Sequence, residues 1–151
     1  MIKIISVGKI KENYLKEAIL EYEKRLGKYT KLALIEVPDS TGNDIVKLLK
    51  NEKEQIEKYI QEKDYVITLE IEGKMLNSIE LSKKIDQLTQ HYANITFVIG
   101  GSYGLDEAIK KRSDFALSFS KLTFPHQLFR VLLLEQIYRS YRILNHEEYH
   151  K

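Results

Sequence analysis

"SFSKLTFPHQLFR", Ser118 to Arg130, is where a strand becomes a helix without a glycine to turn it. Upstream, "DFALSFS" supplies Ala116, Leu117 and Phe119 as strand residues. Downstream, Pro125 is a favourable first residue for a helix, with His126 immediately inside it. Between them Ser120, Lys121 and Thr123 are interleaved with Leu122 and Phe124. Two readings fit such a loop. It is packing, or it is a cradle for a flat heteroaromatic ring, which needs apolar walls and a few directional backbone hydrogen bonds. Just beyond, His126 and Arg130 stand four residues apart, so they leave one helical face near the N-terminus. That pair suits a phosphate or a developing anion, favoured also by the helix dipole. A capping histidine and a surface arginine are the plainer alternative.

Outward from this stretch, a helix is expected from Pro125 to about Asn145. Val131, Leu132, Leu134, Ile137, Tyr138, Tyr141, Ile143 and Leu144 make it apolar on more than one face, as in a core or a dimer interface. The tail "NHEEYHK" ends on Tyr149, His150 and Lys151. Termini are usually frayed, yet tyrosine stacks on bases, and histidine or lysine contacts phosphate or moves protons.

Towards the N-terminus, strands and helices alternate. "NITFVIG" is a strand followed by Gly100, Gly101 and Gly104, a G-G-x-x-G pattern that is neither the dinucleotide fingerprint nor a P-loop. Such glycines make a tight turn or admit a ligand close to the backbone. Asn77 and Glu80 form a capping box opening a helix, behind the strand "DYVITLEI". A charged helix buries Ile45, Leu48, Leu49, Ile56 and Ile60, and follows the strand "KLALIEV", closed by Pro38. "IKIISVG" leads into a helix over Tyr14–Gly27 with Gly27 as C-cap. The pattern predicts one α/β domain, residues 1–151, with a mainly parallel sheet. Ligands gather at the carboxyl ends of such strands. Three of those ends are unusual: "TLEIEGK", "IGGSYG" and "SFSKLTFPH".

Composition sets the bounds. The chain has 151 residues, 30% charged and 43% hydrophobic, as in a single globular domain rather than a disordered chain. There is no cysteine, which removes disulfides and thiolate metal sites, and the four histidines have no zinc spacing, so no metal is expected. No apolar run is long enough to cross a bilayer, and the start has no signal-peptide architecture, so a cytoplasmic protein without membrane partners is expected. Residues 1–107 carry 16 Lys+Arg against 18 Asp+Glu, and residues 108–151 carry 8 against 4. The basic C-terminal third suits an anionic partner such as nucleic acid, or is an ordinary solvated surface.

Together these pieces resemble the ribosomal RNA large-subunit methyltransferase H family over essentially the whole chain. The resemblance rests on "SVGKIKENY", "EYEKRLGKYTKLALIEVPD", "ITLEIEGK", "FVIGGSYGL", "ALSFSKLTFPHQLFRVLLLEQIYRSYRI" and "EEYHK". Only the segment after Pro38 looks abbreviated. The resemblance implies a SPOUT-class α/β fold with a C-terminal trefoil knot, and a cytoplasmic homodimer. It implies methyl transfer from S-adenosylmethionine to N3 of a pseudouridine in helix 69 of 23S rRNA, on the assembled ribosome. It places the cofactor against Leu69, Gly100 and Phe119, Ser120, Lys121, Leu122, Thr123 and Phe124. His126, Arg130, Tyr149 and His150 are then the candidates for holding the nucleotide and handling its proton. A SPOUT methyltransferase of transfer RNA, and a ribosome-bound module without activity, are the competing readings.

Overall fold

Strands that are apolar on both faces need cover on both, and a helix after every strand supplies it. The computed structural model describes residues 1–151. Its elements are β1 (Ile2–Val7), α1 (Asn13–Leu26), β2 (Leu32–Val37), α2 (Ile45–Glu57), β3 (Tyr65–Met75), α3 (Ser78–His91), β4 (Ile95–Ile99), α4 (Glu107–Arg112), β5 (Phe115–Ser118) and α5 (His126–Leu144). The five strands pair in parallel in the order β2-β1-β4-β3-β5. Ile2, Ile4, Ile67 and Phe97 pack on one face with Leu26 of α1, Ile85 of α3 and Leu134 of α5. Ile5, Val7, Val66 and Val98 pack on the other with Ile56 of α2 and Ile109 of α4. The result is a single three-layer α/β domain.

Local chemistry sets the helix starts. Asp44 accepts from the Lys47 N–H at 3.2 Å, Asp106 from the Ala108 N–H at 2.8 Å, and Asn77 with Glu80 forms the expected reciprocal box. Two details depart from expectation. Gly27 has right-handed helical angles (φ −58°), so it closes α1 without using a glycine's freedom. Ile45 is exposed, and the buried stripe of α2 is Leu48, Glu52 and Ile56. In α5, Leu133 is wholly enclosed in the chain's own core.

β3 also runs on to Met75, past the expected end at Ile71. It meets β5 twice, because Leu117 pairs with both Leu69 and Lys74 while the residues between them bulge away. A Cβ at Gly73 would lie 2.7 Å from the Ala116 carbonyl carbon and oxygen, so only glycine lets the two backbones approach there. At the centre of the sheet β1 leads away to one side, towards β2, and β4 to the other, towards β5. The carboxyl ends of β1 and β4 therefore flank a topological switch point, where open α/β sheets take ligands.

Candidate active site

Two hollows share the carboxyl edge of the sheet. The first, a cleft of about 590 Å³, lies over the ends of β3, β4 and β5. It collects Leu69, Gly100, Phe119, Ser120, Leu122, Thr123 and Phe124 from segments far apart in sequence. Lys121 is exposed and does not line it. The loop is built from both halves of its composition. Ser118 Oγ donates to the Ser120 carbonyl at 3.1 Å, and Ser120 Oγ accepts from the Leu122 N–H at 3.0 Å. Phe119 and Phe124 lean on Phe129 of α5, with ring centroids 4.8 and 5.9 Å away. The serines thus shape the backbone, and the phenylalanines anchor it to the helix. The glycine turn is equally self-contained. Gly104 N–H donates to the Gly101 carbonyl at 3.1 Å, and Gly104 has φ +81°. A Cβ on Gly100 would sit 2.5 Å from the Gly104 oxygen, so the close approach that needs glycine here is that of the turn's own backbone.

The second hollow, a trough of about 710 Å³, lies over the β1/β4 switch point and shares Gly101, Ser102 and His126 with the cleft. Lys9, Lys11, Tyr14 and Tyr103 stand exposed along it. His126 is exposed where cleft and trough meet. Arg130, one turn on, is buried at the base of the trough instead of projecting as a phosphate clamp. Its Nη1 donates to Glu36 at 2.8 Å, and its Nη2 to the Val7 and Gly8 carbonyls at 2.9 and 2.7 Å. Burial lowers its pKa, with Glu36 opposing the shift. Arg130 therefore pins the β1–α1 loop to α5, as does Gln127, whose side-chain oxygen accepts from the Lys11 N–H at 3.0 Å.

The tail is not frayed. The Tyr149 ring stands edge-on to Tyr138 at 5.0 Å, with the Arg139 guanidinium 4.8 Å from its centroid. Its hydroxyl donates to Glu135 at 3.1 Å. Burial, with Glu135 nearby, pushes its pKa up to about 12. Glu147 accepts from the Tyr29 hydroxyl at 2.7 Å, and Arg142 donates to the Glu148 carbonyl at 2.9 Å. Arg139 Nη1 lies 3.1 Å from His150 Nδ1. Neither Tyr149 nor His150 lines the cleft or the trough of its own chain. The structure thus gathers seven of the expected cofactor residues with His126, while His150 lines a neighbouring hollow of about 430 Å³ that shares Leu117 and Phe119 with the cleft.

A family model described as "Predicted SPOUT methyltransferase" matches residues 1–150. The chain belongs to that family. A protein of Clostridium botulinum (strain Alaska E43) named ribosomal RNA large subunit methyltransferase H is 54% identical over 99% of both chains. A Bifidobacterium adolescentis protein of the same name is 52% identical over the same share. Among solved structures, "a probable methylase family protein from Haemophilus influenzae" superposes with a TM-score of 0.59 at 15% identity. That match covers 99% of this chain and 70% of the other, and it speaks for the fold alone.

Two residues that shape this edge of the sheet carry no motif: Gly73, packed against β5, and Glu52, which borders the trough. Gly73 left a signal, a glycine inside a strand pattern. Glu52 left another, a carboxylate between Leu48 and Ile56 on the apolar stripe of α2. It is 4% exposed, accepts from the Ser40 N–H at 2.9 Å, and borders the trough beside Gly101. No group of three or more acidic or histidine side chains converges as a metal would need, and no helix is long and apolar enough to cross a membrane.

Proposed function

We propose that this protein transfers a methyl group from S-adenosylmethionine to large-subunit ribosomal RNA, at N3 of a pseudouridine in helix 69 of 23S rRNA on the assembled ribosome. The observation that carries the reading is the cleft. Its volume lies in the range of small-ligand sites, its walls are Leu69, Leu105, Leu117 and Phe119, and Glu70 and Glu72 stand at its side. Apolar walls suit an adenine ring, and carboxylates suit an amino group, so the residues present fit the cofactor. When bound, S-adenosylmethionine supplies an activated methyl on a sulfonium centre.

The chain's own residues hold the ring and its proton. Leu69, Gly100 and Phe119–Phe124 shape the cofactor side of the edge, with Lys121 contributing from the loop surface. His126, at the junction of the two hollows, is placed to accept the N3 proton. Arg130 fixes the loop that carries Lys9 and Lys11, and through that loop positions the RNA backbone. Tyr149 and His150 lie outside their own chain's cleft, so their contribution calls for a second protomer. A groove of about 390 Å³ supports a homodimer: Leu20 is 63% exposed beside half-buried Ile19, Leu34 and Ile35.

The test is transfer of tritiated methyl to ribosomes from a strain lacking the modification, with the labelled nucleotide mapped by mass spectrometry. Label at N3 of the helix 69 pseudouridine is expected. Label on transfer RNA, or cofactor binding without transfer, would overturn the reading.

A further inference from the structure

Glu52 is a carboxylate with half of its bonding capacity open. Its Oε2 accepts from the Ser40 N–H at 2.9 Å. Its Oε1 takes no hydrogen bond from the chain and lies 3.5 Å from where a Gly101 Cβ would stand. Burial pushes its pKa up, with Asp39 adding to the shift and the Ser40 N–H opposing it. Unlike the sealed Arg130 Nε, Oε1 opens to the trough with its acceptor capacity free, and poorly satisfied carboxylates of this kind cluster where a ligand completes them. The surroundings say what kind of ligand. The trough sits at the switch point of the sheet and opens into the cofactor cleft at Gly101, Ser102 and His126. Its rim alternates exposed tyrosines, Tyr14 and Tyr103, with exposed lysines, Lys9 and Lys11. Stacking faces with phosphate-binding cations are the equipment of a single-stranded nucleotide site.

We infer that the trough receives the target ring, and that Glu52 is the residue that tells pseudouridine from uridine. The inference rests on the proposed reaction. Both isomers have a proton on N3, the nitrogen to be methylated. Only pseudouridine, joined to ribose through carbon, keeps a second ring N–H, at N1. An ionised carboxylate is acceptor-only, so Oε1 is satisfied by that N1–H and by nothing on the matching edge of uridine. A site built to accept a substrate N–H rejects the analogue lacking it, because the buried acceptor is left unpaired.

The experiment compares wild type with Glu52→Gln on two ribosome preparations, one with pseudouridine at the target and one with uridine. Glutamine keeps an oxygen for the Ser40 N–H and turns a donor towards the trough. In wild type, kcat/KM should favour pseudouridine by at least about tenfold, the order expected for one charge-assisted hydrogen bond. In Glu52→Gln that preference should collapse towards one, with cofactor affinity and thermal midpoint not reduced. An unchanged preference, or an equal loss on both substrates, overturns the inference. A second measurement needs no turnover. Titration of pseudouridine 5′-phosphate into 15N-labelled protein should move the Ser40, Gly101 and Ser102 amides, with uridine 5′-phosphate binding more weakly. Shifts confined to other surfaces, or equal affinities, also overturn it. If nucleotide discrimination holds while wild type methylates no ribosomes, the proposed reaction fails and the pocket stands.

Discussion

The two edges of the sheet each bury a carboxylate, and they treat it in opposite ways. At the amino edge, Asp64 is 3% exposed and receives Lys3 Nζ at 2.8 Å, the Gln61 N–H at 3.0 Å, Thr96 Oγ1 at 3.0 Å and Asn94 Nδ2 at 3.1 Å. Burial pushes this carboxyl up, and the donors together outweigh it, holding it below the usual range. Arg112 closes the same edge by donating to the Gln61, Glu62 and Asp64 carbonyls. At the carboxyl edge Glu52 has one donor and a raised pKa, and the Arg130 Nε is buried without a partner. The amino edge, although Arg142 Nε beside Tyr29 is also unpaired there, satisfies its buried carboxylate from the chain; the carboxyl edge leaves its carboxylate for something else to complete. That division follows the general rule that α/β sheets keep stability at one end and chemistry at the other.

The largest test of this contrast is Asp64→Ala. It leaves the Lys3 ammonium buried with no counter-charge, and should lower unfolding free energy by about 3–5 kcal/mol in urea titration. Cofactor affinity of the folded fraction should not change. His126→Ala should do the reverse, lowering methyl transfer by about a hundredfold or more while the thermal midpoint stays put. Equal effects of the two substitutions on stability would erase the distinction between the edges. Removing Tyr149, His150 and Lys151 should lower stability by about 1–2 kcal/mol, since an aromatic pair and a cation–π contact are lost with the tyrosine. A purely functional tail would leave the denaturation midpoint where it was.

The smallest effect carries an unusual sign. Glu52→Gln should raise the thermal midpoint near neutral pH, by no more than roughly 3 °C. A carboxyl with a raised folded pKa takes its proton earlier in the folded state. Its destabilisation is therefore full above that pKa and fades as pH falls towards the unfolded value, about 4.3. The gain from Glu52→Gln should fade over the same window. Asp64 runs the other way, contributing stability above about 3.9, the unfolded value, and losing it as pH falls through its depressed folded pKa. Paired pH–stability curves for wild type and Glu52→Gln would show both limbs.

The frame of this molecule is legible in its sequence for identifiable reasons. Alternating apolar strands and capped helices such as Asn77–Glu80 report local preferences that the packing then obeys. The cleft over β3, β4 and β5 is legible because "TLEIEGK", "IGGSYG" and "SFSKLTFPH" break those patterns at strand ends. Long-range polar pairing left weaker marks. Nothing near Lys3 announces Asp64, 61 positions away, and nothing near Arg130 announces Glu36. The packing of the tail is not legible in the sequence, because its contacts depend on Tyr138 and Arg139 presenting one surface of α5, and apolar counting does not show that surface. Glu52 and Gly73 were readable as exceptions, a charge in an apolar stripe and a glycine in a strand.

The second meeting of β3 with β5 governs when the enzyme comes into being. Leu69 and Lys74 grip Leu117 from two places, and the cleft gains its last wall only when the loop after β5 and the helix beyond it are seated. Contacts across so many residues form late, after the local helices and the β1–β2 pair. A chain still emerging from its ribosome therefore lacks both the α5 side chains Leu133, Leu134 and Ile137 of the core and the last wall of the cleft. Activity should arise in a single late step, and a synthesis stalled before residue 118 should leave an inert fragment with one face of its sheet uncovered, rather than a partly active methyltransferase.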